Sequence, residues 1–159
     1  MLPIHFTVEP GMTPAFGATP STASPLDLAI VLPTFNERDN IPLVIARLTE
    51  TLQGLSWEAI FVDDDSPDGT ADVIANYARW DSRIRLIHRV GRRGLSSASI
   101  EGMMSTSASV VGVMDADLQH DETILPRMLA LLRADSLDVV VGTRNADGGS
   151  MGDMFKDAP

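Results

Sequence analysis

Hydrophobic and polar positions along this chain fall into short blocks that change period. "LDLAIVLP" is a continuous apolar run closed by a proline, which predicts a buried strand. "RDNIPLVIARLTETLQG" then takes helical spacing, with Asp39 or Asn40 at the capping position and Gly54 closing it. "WEAIFVD" predicts a second strand. In "DGTADVIANYARW", Val73, Ile74, Tyr77 and Ala78 share a helical face. "RIRLIHR" alternates basic and apolar residues, the pattern of a third strand nearer an edge. A small-residue helix, "GLSSASIEGMMSTSA", leads into a fourth strand, "SVVGVMD". "DETILPRMLALLRA" is helical only if Pro126 lies in or near the first turn. "LDVVVGTR" predicts a fifth strand, and Gly-rich sequence follows it.

Strands that are apolar throughout and alternate with helices imply a parallel sheet covered on both faces. The expected fold is therefore α/β: one doubly wound domain over residues 27–152, with a mainly parallel sheet. Residues 1–26 hold five of the ten prolines among Gly, Ser and Thr, a composition suited to a flexible leader, and 153–159 form a tail. The leader lacks the basic start and apolar stretch of a signal peptide. No apolar run approaches the roughly 20 residues that cross a bilayer. The expectation is a cytoplasmic protein, with any membrane contact peripheral or supplied by a partner.

Composition narrows the chemistry. A net charge of −10 argues against nucleic acid as a partner. The absence of cysteine excludes disulfides, thiolate catalysis and Cys-ligated zinc, and is compatible with a reducing compartment. Charge is unevenly distributed: Arg79, Arg83, Arg85, Arg89, Arg92 and Arg93 make up half of the twelve basic residues.

Doubly wound sheets bind ligands beyond the carboxyl ends of their strands. The polar clusters of this chain fall there: "PTFNE", "DDDSPDG", "DADLQH" and "GTR" follow strands one, two, four and five. Asp115 and Asp117, two residues apart after a strand, point the same way and suit one hard cation, with Gln119 next in register. Magnesium or manganese, which keeps waters and shares substrate phosphates, matches so few protein ligands. The plainer reading is that these aspartates make turns or cap the next helix. In residues 62–69, Ser66 to Gly69 make an ordinary turn, and Asp68 or Thr70 can cap the helix after it. The three preceding aspartates lie beyond that explanation, and a strand-end carboxylate there can bind base or ribose. Neither G-x-G-x-x-G nor a P-loop motif occurs. "RVGRRGLSSA" reads as a solvated basic loop or, with Gly91 and Gly94, as a diphosphate cradle of arginine forks and backbone amides. Arg144 adds positive charge at the end of strand five. His88 and His120 are expected to be structural.

"VLPTFNERDNIP", "VDDDSPDGT", "GLSSA", "VMDADLQH" and "VGTRNADGG", in that order, resemble the family 2 glycosyltransferases of the GT-A fold, and among them the polyprenol (dolichol) phosphate mannosyltransferases. The resemblance runs from about Leu28 to Gly152. It implies Pro33, Phe35 and Glu37 against the nucleotide, and Val62 and Asp64 at base and ribose. It implies Asp115 and Ala116 at ribose and phosphate, and Asp115, Asp117 and Gln119 around Mg2+ or Mn2+. Asp117 and Arg144 would be the catalytic pair, Arg144 facing the sugar diphosphate. The implied reaction moves a hexose, mannose from GDP-mannose, onto a lipid-linked phosphate with inversion. An anionic phosphate acceptor needs no strong general base. Phe35 replaces the usual tyrosine, and Arg92 and Arg93 replace a lysine-containing loop. The family pattern continues past "GGSMGD", so the chain is expected to be truncated, keeping the donor half. Two other readings follow from the same residues. One is a nucleotide-sugar-binding module without turnover. The other is a receiver-like magnesium-binding signalling domain, against which stand Arg144 in place of a lysine and the single lysine, Lys156.

Overall fold

The computed structural model describes residues 26–134 and 136–143. Its elements run β1 (Leu28–Thr34), α1 (Ile41–Thr51), β2 (Trp57–Asp63), α2 (Thr70–Ala78), β3 (Ile84–His88), α3 (Leu95–Met104), β4 (Val111–Val113), a 3-10 turn (Glu122–Ile124) and α4 (Leu125–Ala134). All strand pairs are parallel, in the order β3-β2-β1-β4. The edge position expected of the third strand is observed. Pro126 sits in the first turn of α4, where its missing amide has no helical partner to lose.

Strand periodicity divides the core into two clusters. Leu28, Ile30, Leu32, Trp57, Ala59 and Phe61 face α1, α2 and α4, with Ile41, Leu48, Ile74 and Leu129 packed on them. Ala29, Val31, Ile60 and Val62 face the opposite way, toward Ala98 of α3. Topology explains why α3 is alone on its face among the described helices. The chain steps from β1 outward to β3, then crosses back over β2 and β1 to reach β4. Right-handed crossovers in opposite directions must lie on opposite faces. Space on that face is narrow: a Cβ at Gly102 would lie 2.3 Å from Val31 Cγ1.

The fifth strand expected over residues 137–144 is corrected. Residues 137–143 belong to no strand, and Val139 and Val141 are 73% and 79% exposed. An apolar run becomes a strand only beside a neighbour, and β4, the edge strand on that side, is three residues long. Arg144, the leader up to residue 25 and the tail lie outside the described residues.

Candidate functional site

With β2 on one side of β1 and β4 on the other, the reversal of chain direction falls between β1 and β4, opening the crevice where such sheets hold ligands. Three of the polar segments read from the sequence reach this edge.

On the β2 side, the three aspartates divide the work. Asp63 is fully buried and accepts from Thr34 Oγ1 at 3.3 Å, Ser66 N at 3.0 Å and Ser66 Oγ at 2.6 Å, closing the turn after the strand. Asp64 accepts the Gly94 amide at 2.6 Å, and its other oxygen lies 3.1 Å from Arg89 Nη1. That approach lies off the hydrogen-bonding direction, leaving Asp64 Oδ1 ion-paired without a formal hydrogen bond. Asp65, in the left-handed region at φ 58°, accepts from the Gly91 amide and lies 3.3 Å from His88 Nε2. Downstream, Gly69 rather than Asp68 or Thr70 holds the N-cap position of α2, and Asp68, one residue earlier, accepts from Thr70 N and Thr70 Oγ1. Partial burial pulls the Asp68 pKa upward, but the bonds from Thr70 and the Arg38 amide outweigh it and hold the carboxyl below its ordinary value.

Much of the basic stretch is engaged in the fold. Arg85, Ile87 and Arg89 share the β3 face that meets α3. Arg85 binds Glu58 at 3.0 Å and the Ser105 carbonyl at the end of α3. Arg89 is 3% exposed and donates to Gly94 O and Ser97 Oγ, with Glu101 3.4 Å from its Nε. Arg83 lies over Trp57 and pairs with Asp81. Arg92 pairs with Glu101. Arg93 alone of the loop arginines turns to the β1 end, its guanidinium 4.2 Å from the centre of the exposed Phe35 ring.

On the β1 side, Pro33 pairs in register with Val62, both buried. Val62's side chain is sealed in the core facing α3, so only its backbone is at the strand end. Glu37 donates its amide to Thr70 Oγ1 and accepts from Asn40 Nδ2 at 2.6 Å, fixing the β1–α1 connection to the start of α2.

On the β4 side, Met114 and Ala116 are buried while Asp115 and Asp117 alternate with them. Asp115 is half exposed and lies 3.2 Å from His120 Nε2. Asp117 accepts the Gln119 amide at 3.0 Å. The turn reading of these aspartates is therefore partly right, yet each carboxylate keeps a second oxygen outside these contacts. Among the described residues no three His, Asp or Glu side chains form a ready-made cation cage. Two carboxylates with an amide oxygen nearby are hard donors that fit Mg2+ or Mn2+ when phosphate and water complete the shell. Leu118 adopts φ 62°, a left-handed conformation that costs an ordinary side chain about 1–2 kcal/mol.

Residues 29–158 match the model of the family described as Glycosyl transferase family 2. The chain belongs to that family. It is 37% identical over 126 residues to a dolichol-phosphate mannosyltransferase of Pyrococcus furiosus, covering 79% of this chain and 35% of the relative. It is 36% identical over 124 residues to an undecaprenyl-phosphate mannosyltransferase of Micrococcus luteus, covering 76% and 49%. This member thus spans about a third to a half of the curated relatives it matches. A mannosyltransferase from Pyrobaculum calidifontis in complex with GDP-Man and Mn2+ superposes with a TM-score of 0.58 at 22% identity, covering 69% of this chain and 33% of that one. Glucosyl-3-phosphoglycerate synthase from Mycobacterium tuberculosis, with Mn2+ and UDP, gives 0.54 at 26% identity, covering 67% and 39%. The fold is GT-A.

Sequence reasoning missed the burial of Arg89, the stacking of Arg93 on Phe35, the contact of His120 with Asp115 and the part of Leu118. For Arg89 a signal existed: it continues the two-residue period of Arg85 and Ile87, placing it on a sheet face rather than in solvent.

Proposed function

We propose that this chain is the donor-binding part of a polyprenyl-phosphate glycosyltransferase, taking a hexose from a nucleotide sugar with the help of Mg2+ or Mn2+. GDP-mannose is the favoured donor and a lipid-linked phosphate the acceptor, because two curated relatives are named as mannosyltransferases of such lipids and one fold neighbour carries GDP-Man with Mn2+. The observation that carries the reading is the pair Asp115 and Asp117 at the end of β4, beside the β1–β4 crevice.

Asp115, Asp117 and Gln119 would hold the ion, which when bound supplies positive charge to the leaving diphosphate. Pro33, Phe35 and Glu37 bound the nucleotide from the β1 side. The backbone at Val62, with Asp64 behind the loop, borders the base, and Ala116 brings the backbone close to ribose and phosphate. Arg144 adds charge toward the diphosphate as the glycosidic bond breaks. The lipid acceptor is proposed to be met by peripheral contact at the cytoplasmic face; among the described residues no helix is long and apolar enough to cross a membrane.

Calorimetry with GDP, with and without Mn2+, tests the site. Metal-dependent binding in the wild type that disappears in Asp117→Ala is expected. Equal affinity in that variant, or binding indifferent to chelator, overturns the reading. A second reading takes the same donor-side residues as a site of donor binding without turnover. Metal-dependent GDP binding beside a silent mannosyl-transfer assay would select it.

A further inference from the structure

Beyond Val113 the β ladder has ended and residues 116–118 bend, yet apolar positions go on alternating with polar ones as far as Gln119. Met114 and Ala116 are buried in the core and Leu118 packs against it. Asp115, Asp117 and Gln119, the candidate ion ligands, occupy the intervening positions. Leu118 does so at a positive φ of 62°, where Gly, Asn or Asp is the ordinary occupant. A turn needing only that backbone shape would be better served by any of them. What leucine adds is its side chain, which lines a depression with Val44, Arg47 and Leu48 of α1, Met114 and Glu122. Just beyond, Glu122, largely buried, reaches Arg47 of the same helix at 3.7 Å.

We infer that Leu118 is a positioning residue: its apolar side chain, seated against α1, holds the loop in a strained turn that keeps the oxygens of Asp115, Asp117 and Gln119 in one row. The inference rests on the metal reading above and assigns to α1, an element carrying none of the proposed ligands, the task of fixing their register. A ligand row held from behind has its geometry set before the ion arrives, much as outer partners orient ligands in other metal sites.

The test is Mn2+ binding in the presence of GDP, followed by the electron paramagnetic resonance signal of the free ion, with melting temperature read in parallel. Leu118→Asn retains a residue tolerant of the left-handed backbone and removes the apolar anchor. Leu118→Met retains an apolar side chain of similar reach. The asparagine variant is expected to lose roughly 10- to 100-fold in Mn2+ affinity, the range for removing an outer-shell partner, while the methionine variant stays near wild type. Leu118→Ala replaces the asparagine variant should that one fail to fold. Unchanged Mn2+ affinity in the truncated variant, whatever its melting temperature, overturns the inference, as does an equal loss in the methionine variant. A wild type that takes up Mn2+ no better than Asp117→Ala is a different pattern, and sinks the metal reading itself.

Discussion

The Gly94 amide donates to Asp64 Oδ2 at 2.6 Å, joining the end of β2 to the start of α3. The other oxygen of the same carboxylate neutralises Arg89, whose side chain is 3% exposed. Removing one member of a buried ion pair strands the other, at a cost of about 3–5 kcal/mol when no partner remains. Arg89 keeps Glu101 nearby, so Asp64→Ala is expected at the lower end, about 3 kcal/mol by urea denaturation. Asp64→Asn can still accept from Gly94 and is expected to lose less. Equal losses would mean that the charge, not the amide bond, holds the joint.

Gly102 marks where α3 comes closest to the sheet. A methyl group there would lie 2.3 Å from Val31 Cγ1 and 3.1 Å from Val62 Cγ2, both on fully buried side chains. Gly102→Ala is therefore expected to destabilise by about 1–3 kcal/mol or more through overpacking, despite alanine's better helix propensity. Val31→Ala should rescue part of that loss in the double variant, because the two substitutions share one space. Strictly additive losses would locate the strain elsewhere.

Most of the fold was legible because its signals are local. Uninterrupted apolar runs gave β1 and β2, and Pro126 marked the first turn of α4. What the sequence leaves open depends on neighbours. "LDVVVGTR" has the composition of a strand, but its described residues, 137–143, belong to none. The basic stretch has the composition of an anion site, yet Arg85 and Arg89 carry it into the sheet and bind α3. Of the "DDD" run, composition cannot tell that Asp63 is fully buried while Asp65 is half exposed. The alternation of Met114, Ala116 and Leu118 with Asp115, Asp117 and Gln119 was visible in the letters. Its meaning emerges only once α1 is placed beneath it.

Acid should weaken the fold through its bonded carboxyls. Asp27 accepts from Arg133 Nη2 at 2.6 Å and from the Ser56 amide at 3.0 Å. The Arg133 bond first, then the amide, hold its pKa below the ordinary carboxylate value. A depressed folded-state pKa contributes stability that is present above the unfolded value, about 3.9, and is lost as pH falls through the folded one. Asp81, lowered mainly by Arg83, acts in the same direction. Melting temperature is therefore expected to fall as pH drops below about 4. Asp27→Asn, which cannot titrate, should show a shallower fall; an identical slope would assign the acid sensitivity to other groups.

Arg144 is expected to carry much of the attraction for a diphosphate, because several of the described arginines are engaged within the fold. Arg89 is buried between Asp64 and Glu101, Arg92 pairs with Glu101, Arg93 covers Phe35 and Arg47 meets Glu122. A hydrogen bond to a charged group contributes about 1.5–3 kcal/mol. Arg144→Ala is accordingly expected to weaken GDP binding by about tenfold or more in the presence of Mn2+, while Arg144→Lys recovers part of it. The comparison with guanosine, which lacks phosphate, isolates the effect. Guanosine affinity should be the same in wild type and variant if the arginine reads the diphosphate. A dissociation constant for GDP that Arg144→Ala leaves unchanged would reduce this residue to a solvated charge.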